Sequence, residues 1–157
     1  MKKNILDFKF KYFIILFVTY LLTGCYGFFS DTVDIPSEKN GKYVYIETTG
    51  YCSCQKCCGW TRNWLFQPVY AYGPNKGKPK KVGYCADGTK AKRGTIAADT
   101  RYFPMGTRMY IPGYGTGVVH DRGGAIKGAK RLDLFFETHQ DALNWGRRKV
   151  KVFIYNR

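Results

Sequence analysis

Residues 94–136 read GTIAADTRYFPMGTRMYIPGYGTGVVHDRGGAIKGAKRLDLFF. Short apolar runs punctuated by Gly and Pro predict strands at 94–99, 107–111, 115–120 and 131–136. In RLDLFF, Leu132, Leu134 and Phe136 fall on one face of a strand, while Arg131, Asp133 and Phe135 fall on the other. The apolar face belongs to the core, so Asp133 points to a groove or to solvent in partly apolar surroundings. Asp121 precedes Arg122-Gly123-Gly124, and Asp99 closes GTIAAD. Taken singly, each aspartate has a plain reading: a solvated residue paired with Arg131, an Asx-type turn, and a strand-end cap. The chain holds only 11 acidic residues against 26 basic ones. Three acids at strand ends in one frame therefore look more like a site than a solvated surface.

Outside this stretch, KYVYIETTGY from Tyr43 is rich in aromatic and β-branched residues and predicts a first strand. A last strand is expected at 150–155. One helix is expected near the C-terminus. Thr138 caps it, His139 to Trp145 forms about two turns, and Gly146 ends it. The fold class is mainly β, a small barrel with one short helix, and the 157 residues suffice for one domain. The segment GWTRNWLFQPVYAYG is Trp- and Arg-rich, and residues 74–81 (PNKGKPKK) form a basic Pro/Gly loop.

The N-terminus stands apart. Lys2, Lys3, Lys9 and Lys11 precede the apolar run Phe13 to Leu22, which has the length of a signal-peptide core rather than a membrane span. The run ends in Leu22-Thr23-Gly24-Cys25, the pattern of a lipoprotein processing site. Residues 1–24 are expected to be a signal peptide, Cys25 the lipidated residue, and 25–42 a tether rich in Ser, Asp, Pro, Asn and Gly. The folded domain then covers 43–157. The protein is expected to be exported and membrane-held through lipid on Cys25. Tyr26 is not the Asp that favours inner-membrane retention, which points to an outer membrane where the organism has one. The chain carries a formal charge of +15 and stays strongly positive without its leader. A basic exported protein suits anionic partners such as wall polymers. Nucleic acid is not expected, since no zinc-finger spacing, RNA-recognition motif or homeodomain-like helix is present.

Four further cysteines, Cys52, Cys54, Cys57 and Cys58, lie in YCSCQKCCGW, with Cys85 downstream. An oxidising compartment makes Cys52, Cys54, Cys57 and Cys58 disulfide candidates of undefined pairing, and five thiols leave one over. Zinc is the lesser alternative: four ligands inside seven residues would be cramped, and no His lies nearby in sequence. No metal or cofactor is expected.

The pieces AAD, FPMGTRMYIPGYG, VVHDRGGAIKG, RLDLFF and ALNWG, followed by a last apolar strand, resemble the three-aspartate (3D) domain. That domain is similar to the catalytic barrel of membrane-bound lytic transglycosylase A. The likeness is close from about Gly94 to Tyr155, and the strand end Thr49-Gly50-Tyr51 is similar to the family's first strand. It implies a six-stranded double-psi β-barrel with a glycan groove, acting on the β-1,4 bond between N-acetylmuramic acid and N-acetylglucosamine of peptidoglycan. By position it assigns Asp133 as the acid/base, with Asp121 and Asp99 as the accompanying carboxylates. Arg122 departs from the small residue many relatives carry, and the 52–58 cysteine insertion is not required by the family frame.

This chemistry suits a carboxylate whose pKa is raised, with neighbouring acids supplying repulsion and favouring a cationic sugar. One acid/base suffices for a lytic transglycosylase, which closes the sugar's own C6 hydroxyl onto C1 to leave a 1,6-anhydro end. A hydrolase would use a second carboxylate with water. A non-catalytic, expansin-like wall-binding module is the further alternative. Gly123, Gly124, Lys127 and Tyr51 are candidates for substrate contact. Trp60, Trp64 and Trp145 are possible sugar platforms, with Trp145 assigned to the core. His120 and the lysines at 78, 80 and 81 read as ordinary surface.

Overall fold

The structure is a computed structural model and describes residues 40–156. The leader at 1–24, Cys25 and the tether up to residue 39 lie outside the described residues. The elements are β1 (Gly41–Tyr51), α1 (Gln55–Cys58), β2 (Trp60–Arg62), β3 (Pro68–Tyr70), β4 (Thr95–Ala98), β5 (Arg108–Ile111), β6 (Gly115–Asp121), β7 (Arg131–Phe135), α2 (His139–Trp145) and β8 (Arg148–Tyr155). Six strands close into a barrel in the order β1-β7-β4-β6-β5-β8, and β2 pairs with β3 in a separate two-stranded sheet. Two pairings, β1 with β7 and β4 with β6, are parallel, and the remaining four are antiparallel. This is the double-psi β-barrel expected, with its short C-terminal helix. The one-turn helix α1 and the β2–β3 hairpin are additions that the sequence reading did not contain.

β1 is long because it serves two partners. Gly41 to Thr48 run antiparallel to β8, and Glu47 to Tyr51 run parallel to β7. It begins two residues before the expected boundary at Tyr43. The barrel interior holds Ile46, Ile96, Met109, Ile111, Val119, Leu132, Leu134 and Val152, each essentially inaccessible to solvent. Burying such side chains contributes about 1.5–3 kcal/mol each, the main source of stability here. The alternation of RLDLF holds: Leu132 and Leu134 point inward, and Asp133 does not.

Helix α2 caps one end of the barrel. The Thr138 hydroxyl accepts from the Asp141 amide at 3.1 Å and donates to the Asp141 carboxylate at 2.6 Å. Gly146, at φ +62°, closes the helix as expected. Trp145 is buried among Tyr114 and Phe136, and its indole N–H donates to the Thr48 hydroxyl at 3.1 Å. The helix approaches β1 closely because Gly50 has no side chain. A Cβ there would lie 2.7 Å from the Ala142 carbonyl oxygen and 3.0 Å from its Cα. Those are backbone atoms and cannot rotate away. Gly50→Ala is accordingly expected to destabilise the domain by about 1–3 kcal/mol. A lowered urea midpoint with an unchanged slope would show it.

Candidate functional site

The site is a row of residues on the outer face of the barrel. Thr49 on β1 is in register with Asp133 on β7, Asp133 with Ala97 on β4, and Ala97 with Asp121 on β6. A register shift between Ile96 and Ala97 creates the last pairing, since Ile96 faces Val119 and Ala97 faces Asp121, skipping His120. Without that irregularity His120 would stand opposite Ala97. A bulge re-aims a side chain in this way, and here it turns a carboxylate onto the groove face. The methyl of Ala97 keeps the space between the two acids open, with their strands about 10 Å apart. Asp121, Asp133, Ala97 and Tyr51 all line a cavity of about 760 Å³.

Asp133 is half-buried, and its carboxylate accepts from the Thr49 hydroxyl at 2.7 Å. Burial raises its pKa, and the nearby Asp121 charge adds to the rise. The Thr49 bond and the Leu134 amide pull the other way without cancelling it. The apolar neighbourhood comes from Phe135, Tyr51 and Ala97, a small cluster on the groove side of the sheet.

Asp121 is tied down on three sides. Oδ1 accepts from the amides of Ala86 (3.0 Å) and Arg122 (2.8 Å), and Oδ2 accepts from the Tyr51 hydroxyl at 3.1 Å. Tyr51 is buried and packs edge-on against Phe135 at 5.4 Å. Burial and the Asp121 charge push the Tyr51 hydroxyl pKa far up, so it remains a donor throughout the ordinary pH range. It orients Asp121; it is not an exposed platform for a sugar ring.

Asp99 lies apart from the groove. It is 7% exposed. Arg101 clamps it with two side-chain bonds (2.7 and 3.0 Å), and it accepts from the Gly128 amide at 2.9 Å. The Arg101 and Gly128 bonds hold its pKa well below the usual carboxylate range. The repulsion expected from Asp99 is therefore not what raises Asp133; burial and Asp121 do that. Asp99 instead anchors the 122–128 loop that forms one wall of the groove.

In that loop Gly123 and Gly124 line the cavity, whereas Lys127 is exposed and does not. Neither glycine has positive φ. Gly123 is needed for closeness, because a Cβ there would meet the Ile126 side chain at 2.5 Å. The 70–84 segment, whose lysines read as ordinary surface in the sequence, supplies further lining. Tyr70, Tyr72 and Tyr84 line the cavity together with Lys80 and Lys81. Lys80 lies 4.4 Å over the Tyr70 ring and donates to the Cys58 carbonyl at 2.7 Å; Lys81 lies 4.6 Å over Tyr84. These lysines are therefore part of the groove. In the sequence these lysines belong to one block, 76–81, flanked by Tyr70, Tyr72 and Tyr84, with no period that would mark a shared face.

The remaining candidates separate cleanly. His120 pairs with Asp87 at 2.6 Å rather than with Asp121. Trp145 is in the core as expected, Trp60 donates to the Ser53 carbonyl at 2.9 Å, and Trp64 is 85% exposed between β2 and β3. Cys52, Cys54, Cys57, Cys58 and Cys85 are free thiols in the structure. Cys57 and Cys58 reach the groove wall.

Fold and groove together define a double-psi β-barrel with two carboxylates in an outer cleft. Residues 94–156 match the family model described as the 3D domain. The chain is 34% identical over 122 residues to YabE of Bacillus subtilis, a protein named for cell wall shaping, covering 76% of this chain and 25% of that protein. It is 44% identical over 61 residues to the cell wall-binding protein YocH of the same organism, covering 39% of this chain and 21% of that protein. This chain thus spans about a quarter or less of the length of these relatives. Among solved structures, MltA from Escherichia coli, a lytic transglycosylase, is similar at 22% identity and a TM-score of 0.40, over 50% of this chain and 29% of that one.

Proposed function

We propose that this chain acts on peptidoglycan as a lytic transglycosylase, with Asp133 as the single acid/base. The observation that carries this reading is the position of Asp133: half-buried in a large groove, its pKa raised, and within reach of solvent. The 3D domain match and the cell-wall names of YabE and YocH support peptidoglycan as the polymer. The protonated Asp133 carboxyl gives its proton to the glycosidic oxygen as the C1–O bond breaks. The resulting carboxylate then takes the proton of the C6 hydroxyl while O6 bonds to C1. The products are a free leaving sugar and a 1,6-anhydro end, with no water consumed and the acid restored.

Asp121 supports this one-acid scheme over hydrolysis. Its oxygens are committed to three donors, so it is poorly placed to activate a water. Its charge favours the cationic sugar across the Ala97 gap. Tyr72, Tyr84, Lys80 and Lys81 supply aromatic and cationic surface for the glycan and its acidic peptide stems. Export through residues 1–24 and anchoring by lipid on Cys25 belong to the same proposal. The test is digestion of purified peptidoglycan followed by mass spectrometry. Muropeptides lighter by one water than hydrolysis products support the reading. Products carrying the full water indicate a hydrolase, and wall binding with no products indicates a binding module.

A finer prediction concerns Thr49. Its hydroxyl stabilises the ionised form of Asp133 and so lowers its pKa. Thr49→Val removes that donor and raises the pKa further. The alkaline limb of the pH–rate profile is expected to move to higher pH, and a limb that stays in place or moves down would separate Asp133 from the titration.

A further inference from the structure

Parallel pairing of β1 with β7 places the C-terminal ends of both strands at the same end of the barrel. Tyr51 is in register with Phe135, and the Phe136 amide donates to the Tyr51 carbonyl at 2.8 Å. The segments that follow, the cysteine loop after β1 and the start of α2 after β7, are thereby brought together across more than eighty residues of sequence. His139, the first residue of α2, lands among three of the cysteines. Its Nδ1 is 3.8 Å from Cys52 Sγ, 3.5 Å from Cys54 Sγ and 3.4 Å from Cys57 Sγ, and Cys52 Sγ is 3.7 Å from Cys57 Sγ. All four donor atoms lie within 4.8 Å of one another. The fourth cysteine of the loop, Cys58, turns away and donates to the Cys52 carbonyl at 3.1 Å.

We propose that Cys52, Cys54, Cys57 and His139 form a structural zinc site. With Zn–S of about 2.3 Å and Zn–N of about 2.0–2.1 Å, a tetrahedral ion holds two sulfurs about 3.8 Å apart and a sulfur and an imidazole nitrogen about 3.6 Å apart. The three sulfur–nitrogen distances and the Cys52–Cys57 separation are close to these values, and the remaining sulfur pairs lie within 4.8 Å. A disulfide needs two sulfurs about 2.0 Å apart, and joining any pair would break the shared convergence on one nitrogen. Three thiolates and one imidazole form a soft, closed four-ligand set with no position left for water or substrate, which marks the site as structural rather than catalytic. The crowding expected of four ligands inside seven residues disappears, because only three come from the loop and the fourth is supplied by the helix. The ion would staple the 52–58 loop to α2 and so fix the groove wall that carries Cys57, Cys58 and Gly59. This assignment does not depend on what the groove binds.

The test is the metal content of the purified full chain by mass spectrometry, together with Co²⁺ reconstitution of the chelator-treated, reduced protein. One zinc per chain and the thiolate-to-cobalt and d–d bands of a tetrahedral sulfur-rich site are expected. Cys58→Ser and Cys85→Ser retain one zinc, whereas Cys54→Ser and His139→Ala bind it at least tenfold more weakly. His139→Cys, which restores a fourth ligand, recovers binding and controls for misfolding. Absence of metal with oxidised thiols would replace the zinc site by disulfides. Reduced protein that fails to take up added zinc or cobalt would overturn the proposal, as would unchanged affinity in His139→Ala.

Discussion

Asp133→Asn is expected to lower the rate at which anhydro-muropeptides are released from peptidoglycan by about 10²- to 10⁴-fold, the usual contribution of a positioned general acid. An amide neither gives up nor accepts the proton that the proposed reaction passes twice through this side chain. The same substitution is expected not to destabilise the fold at neutral pH. Because folding raises the Asp133 pKa, the folded chain binds more protons than the unfolded one from the ordinary carboxylate range up to the raised value. Stability therefore falls as pH rises through that window. Asn stays neutral and can still accept from Thr49, so the variant avoids this cost. Activity lost with thermal stability kept or increased, measured on one preparation, separates a chemical role from a structural one. Loss of both together would show that Asp133 mainly holds the sheet.

Trp145→Ala works in the opposite sense. The indole is buried against Tyr114 and Phe136, lies under the Arg148 guanidinium at 4.3 Å, and donates to Thr48. Its removal leaves a large cavity between α2 and the barrel and takes away the donor to the Thr48 hydroxyl, which keeps only its own bond to the Arg148 carbonyl at 3.2 Å. A loss of about 3–5 kcal/mol is expected, a large part of the stability of a domain this size. The melting temperature should fall by about 10–20 °C. Calorimetry checks the value. A shift of only a few degrees would mean that α2 is loosely docked, contrary to its close approach at Gly50.

The barrel strands were readable in the sequence because each has its own local signature. RLDLFF alternates, TIAA ends in a turn, and Gly or Pro marks nearly every boundary, so the limits expected fall within about two residues of those found. The helix was equally legible, since Thr138 and Gly146 define both ends within a few residues. Function-bearing geometry was harder. Asp133 was placed on the correct face by period alone. The separation of Asp99 from the other two acids was not visible, because Arg101 reaches it only once the loop is folded. The groove walls at Tyr70–Tyr84 have no periodicity, and their lysines look like any solvated run. The pairing of His139 with the cysteine loop depends on a parallel register set far away in sequence, which no local pattern encodes.

That register has a kinetic consequence. β1 finds its barrel partners only in β7 and β8, so Gly41 waits for Tyr155 and Tyr51 waits for Phe135. Contacts of such long range make folding slow relative to helical proteins of equal size. The first strand of the barrel has no barrel partner until β7 is available, and a product lacking β8 cannot close the barrel. A chain exported as proposed would thus remain threadable throughout its passage and acquire its shape only on the far side.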